Sequence, residues 1–286
     1  MPELMLHPQT TEAIDAFLAH PTHALLLIGP KGIGKRALAD KIAADILGVG
    51  LEKIGSQPYV TSIEPQKAAS ISIDAVRELE HVMSLRIPGG AGRIAIIEDA
   101  HLLTIEAQNA LLKTLEEPPE RATIILTAAT EQALLPTIRS RVHSLQVQRP
   151  ATIELMRYHE NQGVAKTKLQ SAMLMSGGLP GLLQALLDED MTHPLITAAA
   201  TARELIQKTT FERLGFVDTL AKQREACLDV LEMLQQMSHV ALASSPKSSD
   251  AFRHWQRTMQ AAYNATEALL GSAQPKLVLT NLMLDM

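Results

Sequence analysis

The sequence predicts an α/β protein in which a five-stranded parallel sheet with helices on both faces is followed by a helical C-terminal half. Short β-type runs alternate with segments of helical periodicity up to Pro150, which is the pattern of a parallel sheet with crossover helices. Near-continuous apolar runs such as Ile94–Ile97 indicate strands buried on both faces. After Pro150 the β-type runs stop, so the rest of the chain is predicted to be helical.

The elements follow from these patterns in chain order. The strands are predicted at Ala24–Ile28, Tyr59–Ile63, Ile94–Ile97, Thr123–Thr127 and Ser144–Val147, with helices such as Ile73–Leu85 and Ile105–Glu117 between them. Further helices are predicted near 151–161, 165–176, 180–188, 193–208, 211–243, 249–271 and 275–284. We therefore expect three domains, with bounds of 1–149, 150–190 and 191–286.

Composition limits the function classes. A formal net charge of −5 argues against a protein that binds nucleic acid by itself. With Cys227 as its one cysteine, the chain has no internal disulfide and no cysteine-rich zinc site. We see no signal peptide and no apolar window long enough to span a membrane, so we expect a cytoplasmic protein with no membrane partner.

The first candidate site is the glycine-rich segment Gly29–Arg36, which lies between a predicted strand and a predicted helix. This is the context of a phosphate-binding P-loop. Gly29, Gly32 and Gly34 allow backbone N–H groups to converge on an anion, and Lys35 is positioned to meet the outer phosphates. The segment is therefore predicted to bind the phosphates of a nucleotide.

Arg36 occupies the last position of this segment, where a P-loop normally has the Ser or Thr that ligates Mg²⁺. An arginine side chain offers only hydrogen-bond donors and carries a positive charge, so it cannot ligate a metal ion. The loop is predicted to hold phosphate and to be poorly built for hydrolysis.

A carboxylate pair, Glu98 and Asp99, ends the predicted strand Ile94–Ile97. Carboxylates at this edge of a parallel sheet suit Mg²⁺ and the water that attacks a γ-phosphate. P-loop ATPases usually have Asp before Glu, and the reversed order here moves each carboxylate by about one methylene, a displacement to which catalysis is sensitive. The alternative is that both acids simply end a strand at the surface.

The third candidate is the arginine pair Arg139 and Arg141, just before the last predicted strand. One interpretation is that these arginines pair with acidic side chains on the surface. The other is an arginine finger, because a guanidinium group neutralises the charge spread over phosphate oxygens.

Four segments together resemble the δ′ subunits of bacterial DNA polymerase III clamp loaders, within the AAA+ ATPases. They are His23–Pro30, Ile73–Leu79, Arg139–Val142 and, most specifically, the long run Glu98–Pro119. Val142 stands where the family's Ser-Arg-Cys motif has its cysteine. The resemblance covers roughly residues 20–150, and the segment Ser176–Gly181 is similar to the family's lid.

The resemblance implies an AAA+ P-loop domain at 1–149, a helical lid at 150–190 and a C-terminal collar domain for oligomerisation at 191–286. Clamp loaders are five-subunit arcs that close a ring-shaped clamp around primed DNA. Within them δ′ is a stator whose Ser-Arg-Cys arginine, here Arg141, reaches the ATP site of a neighbouring subunit. The implied partners are δ-type and γ/τ-type subunits, with the sliding clamp and primed DNA reached through the assembled complex.

Departures from the active family members favour a subunit that does not hydrolyse ATP. Besides Arg36 and the reversed Glu98–Asp99 pair, Thr127–Thr130 lacks a clear match to the polar sensor residue, and Leu182 and Leu183 stand where active relatives have a sensor arginine. The family's four-cysteine zinc module is missing, so we expect no metal site. We expect no required cofactor, although the intact glycines allow ATP or ADP to bind without hydrolysis, with weak or no dependence on Mg²⁺.

Two other functions stay open at this point. The chain is then either a catalytically active AAA+ ATPase whose P-loop tolerates Arg36, or a nucleotide-binding module of another AAA+ assembly. Turnover by the isolated chain that Lys35→Ala abolishes would favour the former. Failure to associate with clamp-loader subunits would favour the latter.

Overall fold

The computed structural model describes residues 4–65, 70–85, 92–191, 193, 195–271 and 273–286. The chain folds into two compact units, Met1–Pro150 and Ala151–Met286. The first unit contains the sheet, and the elements of the second are helices. The expected division of the helical half at residue 190 stays a prediction.

The first unit is built on a five-stranded parallel sheet. Its strands are β1 Ala24–Ile28, β2 Val60–Ile63, β3 Arg93–Ile97, β4 Ala122–Ala128 and β5 His143–Gln146, and their spatial order is β2-β3-β4-β1-β5. Each predicted strand is present to within one residue at either end. β1 lies between β4 and β5, with Leu25 opposite His143 and Ile28 opposite Gln146.

Helices cover both faces of this sheet. They are α1 Pro8–Ala19, α2 Lys35–Leu47, α3 Ile73–Ser84, α4 Ile105–Glu116 and α5 Pro136–Arg139. Alternate residues of a strand point to opposite faces. Accordingly Ala24, Leu26 and Ile28 share one core with apolar residues of α3, α4 and α5, whereas α2 packs against α1 and the central strands. The predicted α/β fold class is confirmed.

The second unit is helical in its described residues. Its helices are α6 Thr152–Asn161, α7 Lys166–Ser176, α8 Pro180–Asp188, α9 Ile196–Gln207, α10 Thr210–Leu214, α11 Val217–Leu220, α12 Arg224–Ser244, α13 Asp250–Leu270 and α14 Pro275–Asp285. Within the described part of the chain, no helix has the length and apolar character needed to cross a membrane.

The prediction of one long helix near 211–243 was wrong. Three helices, α10, α11 and α12, occupy this segment. Gly215 follows α10, and its N–H group bonds to the carbonyl of Glu212, three residues back, in place of the four-residue bond of an α-helix. A glycine costs about 1 kcal/mol relative to alanine inside a helix, which favours a break here. Apolar periodicity alone does not report such breaks.

Candidate functional site

The phosphate-loop segment connects β1 to α2, as the sequence predicts. Gly29 donates its N–H to the carbonyl of Ala128 on β4, at 3.1 Å, so the loop begins in register with the sheet. Gly32 and Gly34 have φ angles of 81° and 98°. Side chains other than glycine rarely adopt this left-handed conformation, so the backbone path of the loop depends on these two glycines.

Lys35 is the first residue of α2, and its side chain is buried. Its Nζ donates to the carbonyl oxygens of Gly29, at 2.7 Å, and Pro30, at 3.1 Å. The ammonium group is therefore held at the loop, next to the N-terminus of a thirteen-residue helix. A helix N-terminus attracts anions, so the predicted phosphate-binding groups of this segment do come together.

Arg36 is the centre of a cluster of carboxylates. Its Nε donates to both carboxylate oxygens of Asp40, one turn further along α2, at 3.1 Å each. Its Nη1 donates to Oε1 of Glu64, at 2.8 Å, and to Oε1 of Glu98. Glu64 follows β2 and Glu98 follows β3, so one guanidinium group joins the phosphate-loop helix to the ends of two strands.

Sequence reasoning missed Asp40 and Glu64. The four-residue spacing from Arg36 was a signal for Asp40, because residues at i and i+4 are neighbours on a helix. Glu64 directly follows the predicted strand Tyr59–Ile63, and this position at a strand end was the signal for it. The Asp40 carboxyl also has a raised pKa, because burial disfavours its charged form more strongly than Arg36 favours it.

The site fits the phosphates of a nucleotide and does not fit Mg²⁺. The left-handed glycines, the helix N-terminus and Lys35 are groups of the kind that hold phosphate in a P-loop. For the metal, a hydroxyl ligand is replaced by Arg36, whose Nη1 donates to Glu98, a carboxylate that the metal site would need. Among the described residues, no group of three or more His, Cys, Asp and Glu side chains is arranged to hold a metal ion.

Asp99 and His101 lie on the turn that follows β3. Asp99 has a left-handed backbone, with φ at 45°, and its N–H donates to Oγ1 of the buried Thr127, at 3.0 Å. Burial lowers the pKa of His101, Asp99 acts against this shift, and Lys35 and Lys31 add to it. His101 therefore experiences the charges of the phosphate-loop lysine and of Asp99, an environment that sequence reasoning did not predict.

Arg141 lies at the opposite edge of the sheet from the phosphate loop. It precedes β5, whose first residue, His143, pairs with Leu25 at the start of β1, whereas the loop follows the end of β1. The strand between them spans roughly 13 Å at about 3.3 Å per residue. The predicted site residues therefore form two separate groups, and Arg141 is not brought to its own phosphate loop.

The guanidinium group of Arg141 is partly exposed and is oriented by its own chain. Its Nη1 donates to the carbonyl of Thr137, at 3.0 Å, and to Oγ of Ser140, at 3.1 Å, and its Nη2 lies 2.7 Å from Oε1 of Glu116. Glu116 is the last residue of α4. The ion pair with a surface acid is present, and the side chain still has 36% of its surface exposed.

Gln108 connects α4 to the segment that carries Arg141. This buried side chain accepts a hydrogen bond from the N–H of Leu135, at 2.9 Å, and donates to the carbonyl of Leu103, at 3.2 Å. Leu135 immediately precedes α5. Gln108 lies within the long signature segment, yet its sequence alone did not assign it this contact.

Residues 13–151 match the family model described as "DNA polymerase III, delta subunit". The first unit is therefore similar to this family over nearly its whole length. The δ′ subunit of DNA polymerase III from Pseudomonas aeruginosa is 36% identical over 138 residues, which are 43% of this chain and 42% of that protein. The δ′ subunit from Escherichia coli is 30% identical over 184 residues, 59% of this chain and 55% of that protein.

The family resemblance expected from the signature segments is thus confirmed, but only for part of the relatives' length. The alignments span about half the length of the two δ′ relatives. Over the whole chain, the solved structure of a DNA polymerase III γ subunit-related protein from Thermotoga maritima has a TM-score of 0.55 at 19% identity and covers 96% of this chain and 97% of its own. That likeness shows the fold alone.

Proposed function

We propose that this chain is a δ′-like subunit of a DNA polymerase III clamp loader. It acts as a largely non-hydrolysing stator that supplies Arg141 to the ATP site of a neighbouring ATPase subunit. Its partners are δ-type and γ/τ-type subunits, and it reaches the sliding clamp and primed DNA through the assembled complex. The match of residues 13–151 to the delta family model supports this proposal.

The observation that carries the proposal is the separation of Arg141 from the chain's own phosphate loop. The two groups lie at opposite edges of one parallel sheet, so Arg141 cannot neutralise a phosphate bound at Lys35 of the same chain. It is partly exposed, lies two residues after the end of α5, and is held by Thr137 and Ser140. A preoriented, exposed guanidinium group is suited to a phosphate that another subunit presents.

The Arg36 cluster supports the absence of hydrolysis. Glu98 stands in the metal-proximal position, and its carboxylate accepts from Arg36. Without a hydroxyl ligand and a free carboxylate at this position, the chain lacks the groups that hold Mg²⁺ on the β- and γ-phosphates. Bound nucleotide would therefore remain intact.

The decisive experiment measures ATP turnover, stimulated by clamp and primed DNA, of the complex reconstituted with the other clamp-loader subunits. With Arg141→Ala we expect turnover at the neighbouring site to fall by roughly 10³-fold or more, leaving the residual rate of the other sites. Arg141→Lys should not restore it, because an ammonium group lacks the planar fork. Both variants should assemble with the other subunits as the wild type does, which size-exclusion chromatography measures.

A matched control is Arg77→Ala, which removes an exposed arginine from the same unit that pairs only loosely with Asp74, at 3.7 Å. Its turnover should equal that of the wild type. Unchanged turnover with Arg141→Ala would show that Arg141 is structural. Turnover by the isolated chain, abolished by Lys35→Ala, would instead favour an active ATPase, and failure to join the complex would favour another AAA+ assembly.

A further inference from the structure

The contacts of Arg36 point beyond the clamp-loader role. A nucleotide-bound Mg²⁺ in a P-loop protein joins the first turn of the loop helix to the carboxylate that ends a neighbouring strand. Here Arg36 lies on that first turn and reaches the carboxylate of Glu98 through its own side chain. The guanidinium group thus makes the same connection. It is bonded to α2 through its own side chain and contacts Glu98 by an ion pair.

The charges of the cluster agree with this comparison. Three carboxylates, those of Asp40, Glu64 and Glu98, would repel an incoming phosphate in the absence of a cation. Arg36 contacts all three, and only 35% of its side chain is exposed, with 22% for both Asp40 and Glu98. Partly buried ion pairs are screened less by salt than exposed ones, so the contacts of Arg36 with Asp40 and Glu98 are expected to persist at physiological ionic strength, more than the contact with Glu64, whose side chain is 64% exposed.

We propose that the Arg36 guanidinium serves as a fixed counter-charge in the place of a nucleotide-bound Mg²⁺, so that the glycine-rich loop binds the phosphate chain of a nucleotide without a divalent cation. The phosphates are held by the loop N–H groups, the N-terminus of α2 and Lys35. Because arginine is charged at all relevant pH values, the counter-charge is present whether or not metal is available. The proposal concerns binding by the isolated chain and does not depend on clamp loading.

A purely structural role for the cluster makes a different prediction. If Arg36 only fastens α2 to the ends of β2 and β3, its replacement lowers stability and leaves the metal dependence of ligand binding unchanged. If Arg36 replaces the metal, its replacement also changes which cation the ligand requires. The metal dependence of binding therefore separates the two roles.

The test is calorimetric titration of the full chain with ADP and with pyrophosphate, each in EDTA and in MgCl₂. We expect the wild type to bind ADP with the same affinity in both solutions. For Arg36→Ser we expect binding in EDTA to weaken by about tenfold, since the carboxylates lose their counter-charge. Addition of MgCl₂ should restore it, since the serine hydroxyl can ligate the metal. If the site recognises only the phosphates, the affinity for pyrophosphate should change between EDTA and MgCl₂ in the same way as the affinity for ADP.

The matched control is Lys41→Ser, which removes a cation from the same helix that pairs with Asp45 at i+4, at 2.9 Å. It should bind as the wild type does in both solutions, and thermal unfolding of each variant verifies that the domain is folded. The proposal is overturned if the wild type requires MgCl₂, if it binds neither ADP nor pyrophosphate in EDTA, or if Arg36→Ser binds equally with and without metal.

Discussion

Gln108 illustrates how a single buried side chain can fix the start of the segment that carries Arg141. Its amide satisfies the N–H of Leu135 and the carbonyl of Leu103, two backbone groups on either side of α4. An unsatisfied buried polar group costs about 1–3 kcal/mol, so both partners depend on this one residue. Leu135 is the residue before α5, the short helix that leads to Arg141.

We therefore predict that Gln108→Leu lowers the free energy of unfolding by about 2–4 kcal/mol, since two backbone groups lose their partner. Urea unfolding measures the change. Asn109→Leu is the matched control, because Asn109 is the adjacent amide residue on the exposed side of α4 and should change stability by less than about 0.5 kcal/mol. Equal effects of the two substitutions would contradict the role given to Gln108.

How far the site could be predicted depended on whether its contacts were local. The glycine loop and Lys35 were predicted because their residue types and spacing are contiguous in sequence. The partners of Arg36 were not, because Glu64 and Glu98 lie 28 and 62 residues further along the chain. Only the order of the parallel strands brings them to one edge. The ion pair between Arg141 and Glu116 had the same origin.

At the scale of elements, the end of α7 shows what the glycine-rich stop after Ser176 provides. Gly177 has a φ of 58°, and a Cβ atom built on it would lie 2.4 Å from Cβ of Gln236 on α12. The absence of a side chain thus allows α7 and α12 to approach closely. The sequence predicted the end of this helix near residue 176, but the need for close approach could be seen only in the structure.

Gly177→Ala should lower the stability of the second unit more than Gly163→Ala does. Both glycines end a helix of this unit with positive φ, at 58° and 83°, but no atom lies within 4 Å of a Cβ built on Gly163. Gly163→Ala, the control, should lower the free energy of unfolding by about 1–2 kcal/mol because its alanine is left-handed. Gly177→Ala should lower it by about 1–3 kcal/mol more because its Cβ atom overpacks against α12. Thermal or urea unfolding compares them, and equal losses would mean that α7 and α12 adjust at no cost.

At the scale of the whole molecule, histidines of both units make the folded protein less stable at acidic pH. Burial lowers the pKa of His101 in the first unit and of His159 and His254 in the second. The folded protein then binds protons at these sites more weakly than the unfolded chain does. Their contribution to stability is present above the unfolded-state pKa of about 6.5 and is lost as the pH falls through the lowered folded-state values.

We predict a smaller free energy of unfolding at pH 5.5 than at pH 7.5, measured by urea titration. His254→Gln should reduce this difference, since one group that resists protonation is removed; Arg213 and Arg257 add to the resistance of His254. The same substitution at the exposed His20 is the control. A pH profile that His254→Gln leaves unaltered would assign the acid sensitivity to other groups.

Helix α4 runs from the edge of the sheet that carries Asp99 and His101 to the edge that carries Arg141. It begins after the turn that carries Asp99 and His101 and ends at Glu116, the partner of Arg141, so its twelve residues extend for about 18 Å. Inserting or deleting one residue within it would turn everything beyond that point by about 100° and shift it by about 1.5 Å. Glu116 would then face away from Arg141, and Gln108 or Leu111 would leave its buried position. Natural length variation in this protein is therefore expected in the surface connections and not in α4.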